Sequence, residues 1–309
     1  MGAAMVVRNM EPHGALEILP VTLLQDYREI VTRLRLLAAD LRIGLGWHYL
    51  LDLSWIIDKL GSVSGATVLD AGAGWGLMQW YLCEQGAQVI SVDRTSRADL
   101  QMRLRGRYHV GGLRAADLEP WRRGVARELR ADRNRPRSFA RQVRNLGEAS
   151  RREFRRAHGE VIVYNQDLGD LRDIPSSSID AVVAVSALEH NQPGDLAAVV
   201  KELRRVLVPG GKLLATLGAA LVSDWFHEPS RGWCYTEPTL RRIFGLDAAV
   251  KSNYSEYDRL FSELRACAEL RDNLASFYFK SGNNGMPWGV WDPQYQSVGV
   301  LVTKTAAQG

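Results

Sequence analysis

The sequence predicts a doubly wound α/β fold: a mostly parallel seven-stranded sheet with helices on both faces. Three stretches predict it. Ala66 to Asp93 runs strand, glycine turn, helix, then a second strand ending in an acid, the opening of a nucleotide-binding βαβ unit. Ile179 to Val185 is a continuous apolar run, the pattern of a central parallel strand covered on both faces. Asp195 to Leu207 has the spacing of an amphipathic helix; Pro209-Gly210-Gly211 stops it, and Lys212 to Leu217 reads as the next strand.

The remaining elements follow in order. Residues 1–19 show no periodicity and are expected to be a loose arm. Apolar residues recur at helical spacing over Val21 to Asp40 and again over Trp47 to Leu60, so an N-terminal helical cover is expected within residues 1–60. Residues 61–309 then form the main domain. Its third strand, Val161 to Tyr164, comes late, so residues 95–158 are a helical insertion after the second strand. One helix is expected around Leu118, Trp121, Val125 and Leu129, and another on Phe139, Val143 and Leu146. Thr236 reads as the N-cap of a helix through Phe244, and a longer helix spans Ser255 to Leu274. Ser276 to Lys280 and Ser297 to Thr303 are the last two strands.

Composition narrows the class. With 309 residues and 46% hydrophobic content the chain can bury a large core. No apolar run reaches the roughly 18–20 residues of a membrane span, and no leader pattern is read at the N-terminus. Cys83, Cys234 and Cys267 are odd in number and far apart, which argues against a disulfide framework or a metal site. A cytoplasmic protein is expected. The net charge of +4 is uneven: Arg94 to Glu160 holds 19 Arg and no Lys against 8 acids. Three readings stay open for that segment: solvated helix faces, recognition of an anionic acceptor, or contact with nucleic acid or an anionic membrane. No RNA-binding module signature accompanies it, which disfavours nucleic acid.

The glycine turn narrows the ligand. Dinucleotide sites use G-x-G-x-x-G/A, which places a small residue where Leu77 stands. Here the third glycine comes one position early, in Asp70-x-Gly72-x-Gly74-x-Gly76. The turn resembles the first motif of the class I S-adenosylmethionine (SAM) methyltransferases, of the methyltransferase type 11 kind. Further motifs in the same order carry the resemblance: Asp167-Leu168, Ile179-Asp180-Ala181-Val182-Val183, Leu188-Glu189-His190 and Leu207-Val208-Pro209-Gly210-Gly211. It covers roughly residues 64–218 and then weakens.

The resemblance implies SAM as methyl donor and S-adenosylhomocysteine as product. In an open parallel sheet the ligand lies beyond the carboxyl ends of the strands. The backbone of Gly72, Ala73, Gly74 and Gly76 suits the amino-acid end of SAM, and Asp70 orders the turn or offsets the ammonium. Asp93 can accept hydrogen bonds from the ribose diol. Asp167 and Leu168 suit the adenine, or Asp167 only caps a turn. Ser186, Glu189 and His190 follow the fourth strand, beside the expected place of the methyl group. The acceptor is expected to be a small-molecule, sugar- or lipid-linked compound methylated at oxygen, and such an acceptor needs a base. His190, His227 and His48 are the candidate catalytic residues. No metal is expected, because Ser186 stands where metal-dependent relatives carry the first Glu of E-x-x-E-H. Trp225, Trp233, Trp288 and Trp291 are expected on the same face, around the acceptor or in the core. Two rival readings remain: a non-catalytic SAM-binding protein acting through its basic segment, and an NAD(P)-dependent oxidoreductase.

Overall fold

A computed structural model of the chain describes residues 14–131, 159–272 and 290–305. Its strands are β1 (Gly14–Ile18), β2 (Thr67–Ala71), β3 (Gln88–Asp93), β4 (His109–Gly112) and β5 (Glu160–Asn165). They continue as β6 (Ile179–Val185), β7 (Leu207–Ala219), β8 (Trp225–His227), β9 (Gly232–Tyr235) and β10 (Gln296–Thr303). All ten join one sheet, with the path β1-β10-β7-β6-β2-β3-β5-β4 and the β8–β9 hairpin attached to β7. The pairs β7–β6, β6–β2, β2–β3, β3–β5 and β5–β4 are parallel, whereas β10 is antiparallel to β7 and β1 to β10. The order reverses between β2 and β6, so the loops leaving those two strands open a crevice.

The central strands are buried on both sides, as their unbroken apolar runs require. Alternate residues point to opposite faces. Val68, Val89, Val183 and Leu214 pack into one core layer with Leu34, Trp55 and Trp80. Leu69, Val92, Val182 and Ala215 pack into the other with Leu203, Phe244 and Val298.

The helices are α1 (Leu23–Asp26), α2 (Arg28–Leu41), α3 (Tyr49–Leu60), α4 (Met78–Glu84), α5 (Met102–Arg105), α6 (Trp121–Ala131), α7 (Pro193–Val206), α8 (Glu237–Phe244) and α9 (Tyr257–Ala266). The local chemistry of α7 is typical. Proline opens it, Asp195 lies in the first turn and Arg204 and Arg205 in the last, each sign matched to the helix dipole. Helix α3 packs on β6, β7 and β10. The Trp55 indole lies over Gly299, where a Cβ would come within 2.6 Å of the ring.

Several elements differ from expectation. The expected mostly parallel sheet is present, and among the described residues short edge strands that the apolar-run reading did not register bring it to ten strands. Gly14–Ile18 is a strand, not arm: Leu16 and Ile18 are fully buried against β10. The insertion contains an edge strand, β4, as well as helix. The expected helix over Ser255 to Leu274 is interrupted at Cys267, which leaves the helical region, and resumes over residues 268–272. Thr236 occupies the N-cap position of α8, but its hydroxyl bonds Asp224 Oδ1 at 2.8 Å rather than the helix N–H groups. The expected helix on Phe139 to Leu146, the strand over Ser276 to Lys280 and Trp288 lie outside the described residues.

Several of the described arginines in the basic segment are used internally. Arg107 pairs with Asp40 and Glu84, Arg114 with Asp117, and Arg127 with Glu119. Arg97 is 1% exposed. Among the described residues no helix is long and apolar enough to cross a membrane.

Candidate functional site: two adjoining cavities

A cavity of about 470 Å³ opens at the carboxyl ends of β2, β3, β5 and β6. Ligand pockets run roughly 300–1,000 Å³. Asp70, Gly72, Ala73, Gly74, Gly76, Asp93, Asp167, Leu168 and Ser186 all line it, so the structure brings the nine expected cofactor-contacting residues together. Tyr49, Trp75, Arg94 and Asn191 are among the other residues of its wall.

The glycine turn is held from behind. The N–H groups of Gly72 and Ala73 both donate to Val92 O at 2.9 Å, tying the turn to β3. Gly74 N–H donates to Asp93 Oδ2 at 2.9 Å, and Thr95 N–H to Asp93 Oδ1 at 2.7 Å. Gly72 has φ +73°, and a Cβ there would come within 2.5 Å of Ala187 Cβ. Only glycine satisfies both the backbone angle and that approach. Gln79 Nε2 donates to the carbonyls of Gly74 and Gly76 and accepts from Ser91 Oγ through its Oε1.

Arg97 lies beneath this turn and was not anticipated as part of the site. Its guanidinium donates to the Ser91 hydroxyl and, at 2.5 Å, to the Ser91 carbonyl. Burial lowers its pKa, while Asp93, Asp70 and Asp117 favour the charge. Asp70 is 2% exposed. Burial pushes its carboxyl up to about 7, opposed by Arg97 and assisted by Asp93. A half-ionised carboxyl in such a place becomes fully charged when an ammonium group arrives. Asp167 Oδ1 accepts from Gly169 N–H at 2.8 Å, so it shapes its turn while it lines the cavity.

A second, smaller cavity of about 120 Å³ (the inner cavity) adjoins the first. Gly46, Tyr49, Ser186 and His190 border both. The inner wall adds Trp47, His48, Glu189, Trp233, Cys234 and Tyr295. The β8–β9 hairpin supplies Trp233 and Cys234. Sequence reading missed the hairpin because its strands are only three and four residues long.

The three candidate histidines fall in different settings. His48 is 5% exposed on the inner wall, with Nδ1 2.6 Å from Asp52 Oδ2, 3.0 Å from Ser297 Oγ and Nε2 3.3 Å from Tyr295 OH. Burial alone would lower its pKa, but the Asp52 carboxylate outweighs burial and the net direction is upward. His190 is exposed at the junction, its Nδ1 2.9 Å from the Arg231 carbonyl. His227 lines neither cavity; it is packed beside Trp225 and Tyr295 with Nδ1 2.7 Å from Ser230 Oγ, and burial lowers its pKa. Trp291 stacks edge-on against Trp47, 6.0 Å between centroids.

Ser186 has φ +46° and turns its hydroxyl to Glu189 Oε1, 2.5 Å away. Glu189 Oε2 has no hydrogen-bond partner among the described residues. Among those residues no cluster of three His, Cys, Asp or Glu is arranged to hold a metal ion.

Sheet order, antiparallel last strand and a glycine turn facing the switch point define the class: a Rossmann-like, class I methyltransferase fold. Residues 141–215 match the family model described as methyltransferase domain. A curated relative, the ubiquinone biosynthesis O-methyltransferase of Leptothrix cholodnii, is 38% identical over 48 residues, 16% of this chain and 20% of that one. The chain thus matches only a fifth of that relative's length. Among solved structures, it is similar to 1,6-didemethyltoxoflavin-N1-methyltransferase of Burkholderia thailandensis (14% identity, 91% of this chain and 90% of that one, TM-score 0.41). It is also similar to magnesium protoporphyrin IX methyltransferase of Synechocystis (13%, 92% and 85%, 0.39) and to YcgJ of Bacillus subtilis (13%, 83% and 99%, 0.42).

Proposed function

We propose that this chain is a SAM-dependent methyltransferase that methylates an oxygen of a small acceptor. The observation that carries the reading is the pair of cavities meeting at Ser186 and His190, one for a donor and one for an acceptor. The outer cavity fits SAM by its chemistry. Asp70 suits the ammonium group, Asp93 the ribose diol, and Gly72 and Gly74 leave their backbone bare to the ligand. When bound there, SAM supplies an electrophilic methyl group on a positively charged sulfur.

The chain's own residues have three tasks. The tied glycine turn and Asp93 orient the donor before the acceptor arrives, which removes an entropic cost from the reaction. The buried Trp47 and Tyr295 of the smaller cavity's wall shield His48 from water. His48 accepts the acceptor's hydroxyl proton at Nε2, while Asp52 holds Nδ1–H and stabilises the charged imidazole that results. His48 is preferred to His190 as base because it is buried on the acceptor wall and has a carboxylate partner. The three cysteines are free thiols, in keeping with a reducing, cytoplasmic setting.

Calorimetry tests the donor half. S-adenosylhomocysteine should bind and reduced nicotinamide cofactor should not; the reverse result would return the chain to the oxidoreductase reading. A screen for methyl transfer from labelled SAM to small hydroxyl compounds tests the acceptor half. Donor binding without turnover on any acceptor would favour a non-catalytic binding protein.

A further inference from the structure

We infer that the inner cavity binds a protonated amine, so that the acceptor carries an ammonium group a few atoms from the oxygen that is methylated. This deepens the methyltransferase reading and rests on it. The first observation is Glu189, 7% exposed and on the wall of the inner cavity. Its Oε1 is satisfied by Ser186, and its Oε2 has no partner among the described residues. A buried carboxylate oxygen without a partner is costly, and a cationic ligand donor would relieve that cost.

The second observation is the rest of the wall. Trp47, Tyr49, Trp233 and Tyr295 surround the same space, and aromatic faces attract a desolvated cation. No Lys or Arg lines the inner cavity among the described residues. His48 is already matched to Asp52, whose Oδ1 is likewise buried and unpartnered among the described residues. Burial raises the Glu189 pKa, opposed by His190 and His48, and an ammonium ligand would favour its ionised form. An anionic head group, one of the readings of the arginine-rich segment, would meet this carboxylate directly.

Size sets the third limit. An apolar cavity of about 150 Å³ accommodates benzene, and this one is about 120 Å³. It admits an alkylammonium head group; the remainder of a larger acceptor must extend past His190.

The test compares n-propylamine with the isosteric 1-propanol by NMR titration of the protein saturated with S-adenosylhomocysteine. The expected result is at least tenfold tighter binding of the amine. In Glu189→Gln that preference should fall below threefold, with S-adenosylhomocysteine affinity changed by less than threefold. Equal binding of amine and alcohol by the wild-type protein overturns the inference, and this comparison needs no variant to fold. A Glu189→Gln protein that keeps its amine preference but binds SAM more weakly relative to S-adenosylhomocysteine also overturns it, because the carboxylate then serves the sulfonium. Failure of S-adenosylhomocysteine itself to bind would instead sink the methyltransferase reading.

Discussion

Gly74 donates its backbone N–H to the Asp93 carboxylate across 2.9 Å, joining the glycine turn after β2 to the end of β3. The two residues are 19 positions apart. Asp93 therefore has two tasks, holding the turn and facing the donor cavity. Asp93→Ala should lose both and weaken S-adenosylhomocysteine by about 10- to 100-fold, the size of one or two charge-assisted hydrogen bonds. Asp93→Asn, which keeps an acceptor oxygen for Gly74, should lose less. Calorimetry measures both; wild-type affinity in Asp93→Ala would remove Asp93 from the site.

Gly72 makes a sharper steric prediction. A methyl group there meets Ala187 Cβ at 2.5 Å and sits at a positive φ that costs roughly 1–2 kcal/mol. Gly72→Ala should lower the melting temperature and weaken the donor. Adding Ala187→Gly should recover the steric part and leave the backbone part. A double variant no better than the single would show that the Ala187 contact is not what matters.

Asp70 sets a pH dependence. Its carboxyl titrates near 7 when folded and near 3.8 when unfolded, so between those values the folded state binds the extra proton. The ligand-free protein should therefore lose stability as pH rises from about 4 to about 7, with no further loss from this group above that. Binding of an ammonium group favours the ionised form, so S-adenosylhomocysteine affinity should rise with pH through about 7. Asp70→Asn should flatten that rise and bind more weakly at pH 8. An unchanged profile in Asp70→Asn would place the titration elsewhere.

The His48–Asp52 pair sets another. Asp52 holds the imidazole proton on, so the rate of methyl transfer should climb as pH passes a value above 6.5, where His48 becomes a free base. Asp52→Asn removes the charge that raises the pKa, so the limb should move to lower pH while the maximal rate falls roughly 10²- to 10⁴-fold. His48→Gln should abolish the limb. A pH–rate profile that persists in His48→Gln would transfer the base role to His190.

The donor half was legible in sequence because its chemistry is local. Strand, glycine turn and helix occupy consecutive residues, and each parallel strand delivers its next residue to the same edge. Asp93, Asp167 and Ser186 could thus be placed together without knowing any packing. Arg97 was hidden in plain composition. Among 19 arginines nothing marks the one that folds back beneath the turn to reach Ser91. Edge strands β1 and β4 were missed for a related reason: four or five residues carry too little periodicity, and their pairing with β10 and β5 comes from the sheet.

The sequence by itself determined the fold class and pointed to nine residues that line one cavity, since period and turn chemistry act over a few residues. Only the tertiary structure assembled the smaller cavity. Tyr295 and Ser297 reach His48 across 247 and 249 positions, and a short hairpin brings Trp233 to the cavity that Glu189 also lines. Contacts of that separation are set by how helices and hairpins pack on the finished sheet, and no local pattern encodes them.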